Sequence, residues 1–118
     1  MKISHKGLAE VVSTFETENF SNIEAGAPLT IDSNRVSKAQ NDDAIIGFAA
    51  DKSRNRKVAV QLAGYVETEV DGQIFYGIRH IKMGGAGKAV MSAEADSQTI
   101  PVKVIYVDNE NSIAGFIM

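Results

Sequence analysis

The sequence predicts an all-β protein, a small barrel or sandwich of about eight or nine short strands. Three observations carry that reading. Lys57 to Val70 (KVAVQLAGYVETEV) places Val58, Val60, Leu62, Val66 and Val70 on alternate positions, with Gln61, Tyr65, Glu67 and Glu69 between them. That is the period-two pattern of a strand with one buried face. Pro101 to Val107 is β-branched through most of its length, which suits a pleated, half-buried surface. No stretch longer than about 10 residues has a convincing amphipathic helical pattern.

The elements follow in order. Gly7 to Phe15 spaces Leu8, Val11, Val12 and Phe15 in a way that a short helix or a strand could each claim, and a strand is the reading taken. Glu16 to Asn22 is polar except for Phe20 and reads as a loop. Pro28 can open the strand Leu29–Asp32, because its missing N–H need not enter the ladder there. The turn formers Asp32-Ser33-Asn34 then predict a tight hairpin returning through Arg35–Lys38. Ala44 to Ala50 is short, apolar and interrupted by Gly47, the signature of a buried strand with a bulge or a close backbone approach. Asp51 to Lys57 is the most charged segment and reads as an exposed loop.

Asp71-Gly72 after the Lys57–Val70 strand predicts a central hairpin with a two-residue turn, both turn residues at positive φ. In that register Val70 faces Gln73, Thr68 faces Phe75, Val66 faces Gly77, Leu62 faces Ile81 and Tyr65 faces Ile78. Met83 to Gly87 is too glycine-rich for a regular element, Lys88–Met91 is a short strand, and Ser92–Ser97 a turn or a single helical turn. Asp108–Ser112 is a turn before Ile113–Met118, an apolar end that must be pinned into the sheet or into a partner subunit.

The 118 residues fit one domain, 1–118, with the first ~20 residues readable as an arm. A net charge of −3 supplies no positive field toward nucleic acid or an anionic membrane. The lack of cysteine excludes disulfides, thiolate zinc sites and thiol catalysis. MKISHKGLAEVV holds no apolar signal core, and no apolar run is long enough to span a bilayer. The expected starting compartment is the cytoplasm. No repeat at a fixed period is visible.

Candidate chemistry is sparse. Gly84-Gly85-Ala86-Gly87-Lys88 resembles a phosphate loop, but Lys82 stands where its first glycine belongs and Ala89 where the magnesium-binding hydroxyl belongs. A plain loop is the reading. His5 and His80 are the only histidines, and no carboxylates take metal-ligand or EF-hand spacing. The sequence therefore predicts no catalytic residue, cofactor or metal. Lys52, Arg54, Arg56 and Lys57 form a basic loop with no interleaved aromatic, a solvated loop first and a grip on an acidic protein surface second. Tyr65, Phe75 and Tyr76 come close on the expected hairpin, as sheet surface or as a binding patch.

Three phrases carry a resemblance: Ala25-Gly26-Ala27-Pro28-Leu29-Thr30-Ile31, Ile46-Gly47-Phe48-Ala49, and Val58-Ala59-Val60-Gln61-Leu62-Ala63-Gly64-Tyr65-Val66. The block from Ile23 to Glu69 that contains them resembles the head-decoration, or capsid-cement, proteins of tailed bacteriophages and prophages. Its motifs are structural and transfer no catalytic residue. The resemblance implies a non-enzymatic virion protein, made in the host bacterial cytoplasm, that sits on the capsid surface, binds the major capsid protein and braces the shell against internal DNA pressure. It also implies a homo-oligomer, a trimer before a monomer. Lys52, Arg54, Arg56, Phe116, Ile117 and Met118 are the expected protein-contact residues. The alternatives are a β-barrel module for a ligand or carbohydrate, and a phage tail tube or baseplate subunit.

Overall fold

The computed structural model describes residues 11–17, 22–41, 43–85, 87–92, 95 and 99–118. The described residues form ten strands. The all-β expectation holds, with one or two strands more than the sequence suggested. Strands β1 (Val11–Thr17), β2 (Pro28–Asp32), β3 (Arg35–Lys38), β4 (Gly47–Ala49) and β5 (Lys57–Ala63) close a barrel in the order β1-β3-β2-β4-β5. Strands β6 (Tyr65–Glu69), β7 (Gly77–Met83), β8 (Ala89–Ser92), β9 (Ile100–Asp108) and β10 (Ile113–Ile117) form a second sheet in the order β6-β10-β9-β7-β8.

The barrel follows from its pattern. Leu29, Val36, Val58 and Val60 alternate with exposed or half-buried neighbours and turn inward onto Ile23 and Ala49. Removing each of these larger side chains from water contributes roughly 1.5–3 kcal/mol. The hairpin at Ser33-Asn34 forms as expected, Asp32 pairing with Arg35 and Ser33 at φ 56°. Gly47 supplies the expected close approach. A Cβ there would lie 2.5 Å from the Gln61 carbonyl oxygen and 2.8 Å from Val60 Cγ1, so only glycine lets β4 lie flush against β5. Glu16 and Thr17, expected in a loop, extend β1, because they pair in parallel with Arg35 and Val36 and thereby close the barrel. Residues 1–10, with His5, and residues 18–21 lie outside the described set, as does most of Ser92–Ser97.

The Lys57–Val70 strand is two strands. Gly64, at φ 102°, breaks it between β5 and β6 and carries the chain from the barrel into the second sheet. The Gln61 side-chain amide spans the break, donating to the carbonyls of Ala63 at 3.1 Å and Tyr65 at 2.9 Å. The Met118 N–H caps it by donating to the Gly64 carbonyl at 3.0 Å.

The central hairpin at Asp71-Gly72 does not form. β6 pairs with β10 instead, Val66 opposite Phe116 and Tyr65 opposite Ile117, while β7 pairs with β8 and β9. The edge that a hairpin would need is occupied: the Val70 N–H donates to Ser112 and the Asp71 N–H to Ala89, both at 2.8 Å. Only Gly72 of the two turn residues has a positive φ. The two-residue turn with both residues in the left-handed region lies at Asn55 (φ 52°) and Arg56 (φ 62°), where Arg54 and Lys57 exchange both backbone hydrogen bonds. That is the mirror-image turn whose twist matches a hairpin.

Val70 forms a parallel bridge with Ala89, so the two edges of the second sheet meet. The two halves of the chain then share one circuit. In each, the first strand lies parallel to the third, the third pairs with the second, the second with the fourth, the fourth with the fifth, and the fifth with the first. Val70 and Ala89 follow Thr17 and Val36 by the same number of positions. The repeat is one of topology without a visible sequence repeat.

The main core lies inside the curled second sheet, where Val66, Val70, Ile81, Met83, Val102, Val104 and Phe116 meet. Ala39, Ile45 and Phe48 enter it from the barrel half. Phe48 and Phe116, both fully buried, join the halves edge to face.

Candidate functional site

The three phrases Ala25–Ile31, Ile46–Ala49 and Val58–Val66 resolve into packing roles. Gly26, at φ 84°, donates to the Ala49 carbonyl at 2.8 Å, and its own carbonyl accepts the Thr68 hydroxyl at 2.8 Å. A Cβ on Gly26 would lie 3.1 Å from the Glu67 carbonyl oxygen. The loop before β2 is thus tied to β4 on one side and β6 on the other. Phe48 anchors the core, and Val58 and Val60 fill the barrel.

Beside this loop a groove of about 490 Å³ separates the halves, lined by Glu24, Gly26, Pro28 and Lys38 on one side and by Glu67, Glu69, Lys88 and Ile113 on the other. Lys88 Nζ lies 3.6 Å from Glu69 Oε2 across exposed surface. Among the described residues, none of the groove's lining side chains is aromatic.

The expected contact residues separate. Lys52, Arg54 and Arg56 are exposed around the tight turn before β5. Phe116, expected at a contact surface, is buried in its own sheet, because the end strand β10 is central, with β6 on one side and β9 on the other. Ile117 and Met118 are half-buried. Tyr65 does not join Phe75 and Tyr76, because β10 and β9 stand between β6 and β7. Phe75 instead lies under the Arg79 guanidinium, 5.0 Å from ring centroid to Cζ, and its N–H points to Met91 Sδ at 3.3 Å. His80 is half-buried and pairs with Ser92 and Pro101. Gly84 to Lys88 joins antiparallel β7 and β8, closed by the Gly84 N–H donating to the Lys88 carbonyl at 3.0 Å.

The surface that sequence reasoning missed is the outer face of the second sheet. Register places Tyr65, Ile117, Lys103 and Ile78 in one row across β6, β10, β9 and β7. Glu67, Gly115 and Tyr106 form the next row, and Glu69, Ile113 and Asp108 the third. The register shift between Gly115 and Phe116 leaves Ile105 as the extra residue of β9, exposed beside Tyr106. Tyr65 folds across Gly115: a Cβ there would collide with its hydroxyl and ring. The Tyr65 hydroxyl donates to Glu67 Oε2 at 3.0 Å. Burial, that hydrogen bond and the charge of the carboxylate push its pKa well above the usual tyrosine value. Ile78 is 74% exposed and Tyr76 60%. Only the pairing register identifies these residues as neighbours, which is why the sequence alone concealed them.

No protein-family model and no curated protein matches the chain. Among solved structures, the chain is similar to the bacteriophage phi29 gene product 12 C-terminal fragment. The likeness has a TM-score of 0.62 at 15% sequence identity and covers 90% of this chain and 96% of that one. At that identity it is a likeness of fold. At 90% of the chain it spans both halves.

Proposed function

We propose that the chain is a non-enzymatic structural protein of a bacteriophage virion that decorates and stabilises the capsid. The observation that carries this reading is the fold likeness to a phage gene product over nearly the whole of both chains. The phrases at Ala25–Ile31, Ile46–Ala49 and Val58–Val66 support the finer assignment to the head, since each of them builds the scaffold and leaves the loops and outer faces to meet a partner. The partner in this reading is the major capsid protein, and the place of action is the capsid surface.

The test is direct binding to expanded, DNA-free capsids assembled from the major capsid protein of the phage or prophage that encodes the chain. Saturable binding, with a rise in the capsid melting temperature at saturation, is the expected result. A chain that stays in the supernatant at every ratio, leaving the melting temperature unchanged, rules the capsid assignment out.

A further inference from the structure

We propose that Asp71-Gly72 is a site of spontaneous isoaspartate formation, and that conversion there loosens the segment that carries Phe75. This inference stands apart from the phage reading.

The reaction is intramolecular and needs only water. The Gly72 backbone nitrogen attacks Cγ of the Asp71 carboxylic acid: a C–N bond forms, the C–OH bond breaks, and the amide hydrogen leaves with the hydroxyl as water. The five-membered imide then takes up one water. Cleavage of its Cγ–N bond returns aspartate, whereas cleavage of the original peptide C–N bond leaves Gly72 attached through Cγ. No atom is gained or lost overall. The main chain becomes one atom longer and the former peptide carbonyl becomes a free carboxylate, a covalent change in the backbone itself.

The structure leaves this pair open to the attack. Glycine has no side chain to shield its nitrogen, and even a Cβ built at Gly72 would meet nothing within 4 Å. Both residues are exposed. Among the described residues, neither the Gly72 N–H nor the Asp71 carboxylate has a hydrogen-bond partner. Asp71 to Tyr76 lies between β6 and β7, in no strand, so the backbone can turn to bring the two groups together. The comparable pairs are held. Asp32, before Ser33, closes the β2–β3 hairpin against Arg35, and the Asn111 side-chain amide, before Ser112, donates to Asp108 Oδ2 at 2.9 Å.

Conversion falls between anchors. The Asp71 N–H donates to the Ala89 carbonyl at 2.8 Å, Ile74 packs against the main core, and the Phe75 N–H points to Met91 Sδ at 3.3 Å. An added main-chain atom between the first anchor and the other two puts the three out of register.

Peptide mapping by mass spectrometry with electron-based fragmentation, on the full folded chain kept in warm neutral buffer, tests the proposal. Isoaspartate at residue 71 is expected to accumulate several-fold faster than at any other aspartate or asparagine. Asp71→Glu, at an exposed side chain, is expected to stop it, because glutamate would need a six-membered imide. In hydrogen exchange, the Phe75 amide of the converted chain should exchange several-fold faster than that of the unconverted one. An Asp71 that stays intact in the folded chain but converts in the same chain unfolded in urea overturns the proposal, since the fold then protects the pair. So does faster conversion at another position, or a Phe75 amide that exchanges alike before and after conversion.

Discussion

Phe48 of β4 and Phe116 of β10 meet edge to face, their ring centroids 5.4 Å apart and their planes at 66°. The first belongs to the barrel and the second to the curled sheet, so this pair is where the two halves share a core. Truncating either ring leaves a cavity between the halves. Phe48→Ala and Phe116→Ala are each expected to cost about 3–5 kcal/mol in urea unfolding. The double variant should cost less than the sum by roughly 0.5–1.5 kcal/mol, the coupling of an aromatic pair. Strict additivity would mean that the rings do not act together.

Gly64 turns one alternating run into two strands because its φ of 102° is a conformation that L side chains rarely adopt. Gly64→Ala should destabilise the fold by about 1–3 kcal/mol. Gln61→Leu, which removes both amide bonds across the break, should cost a further 1–2 kcal/mol or so. Denaturant midpoints read both effects.

The turn at Asn55-Arg56 holds two non-glycine residues in the left-handed region. Asparagine tolerates that region and β-branched residues do not. Asn55→Val is therefore expected to lower stability by about 1–2 kcal/mol, whereas Arg56→Gly leaves it unchanged or raises it by up to about 1 kcal/mol. Thermal melting should thus separate the two variants, with only Asn55→Val lowered.

Two groups give the fold opposite pH dependences. The Asn111 side chain and the backbone N–H groups of Asn111 and Glu110 donate to the Asp108 carboxylate and hold its pKa below the usual carboxylate value. Its contribution is present above the unfolded pKa of about 3.9 and is lost as pH falls through the folded value. Tyr65 is shifted the other way, so its contribution is complete below the unfolded pKa of about 10 and is lost as pH rises toward the folded value. Urea midpoints should fall at both extremes. Asp108→Asn should flatten the acid limb and Tyr65→Phe the alkaline one.

Much of the scaffold was legible in the sequence, and the placement of its pairings was not. The recurrence of Val58, Val60 and Leu62 at alternate positions, the proline opening β2 and the turn at Ser33-Asn34 are local features, and the fold honours them. Asp71-Gly72 carried the stronger local hairpin signal, yet long-range hydrogen bonds from Val70 and Asp71 to Ser112 and Ala89 occupy that edge. The actual mirror-image turn hid inside the charged run Arg54–Lys57. The topological repeat left no period to find, because corresponding strands differ as widely as β4 of three residues and β9 of nine. The outer-face rows were invisible for a related reason: Ile78, Lys103 and Ile117 become neighbours only through pairings between distant strands.

The central claim is that this chain is a structural component of a phage head. Quantitative mass spectrometry of virions from the encoding phage, separated into heads and tails, tests it most directly. The account predicts the chain in the head fraction, at many copies per particle and in fixed ratio to the major capsid protein. Its confinement to the tail fraction, or its absence from virions while the capsid protein is abundant, would contradict it.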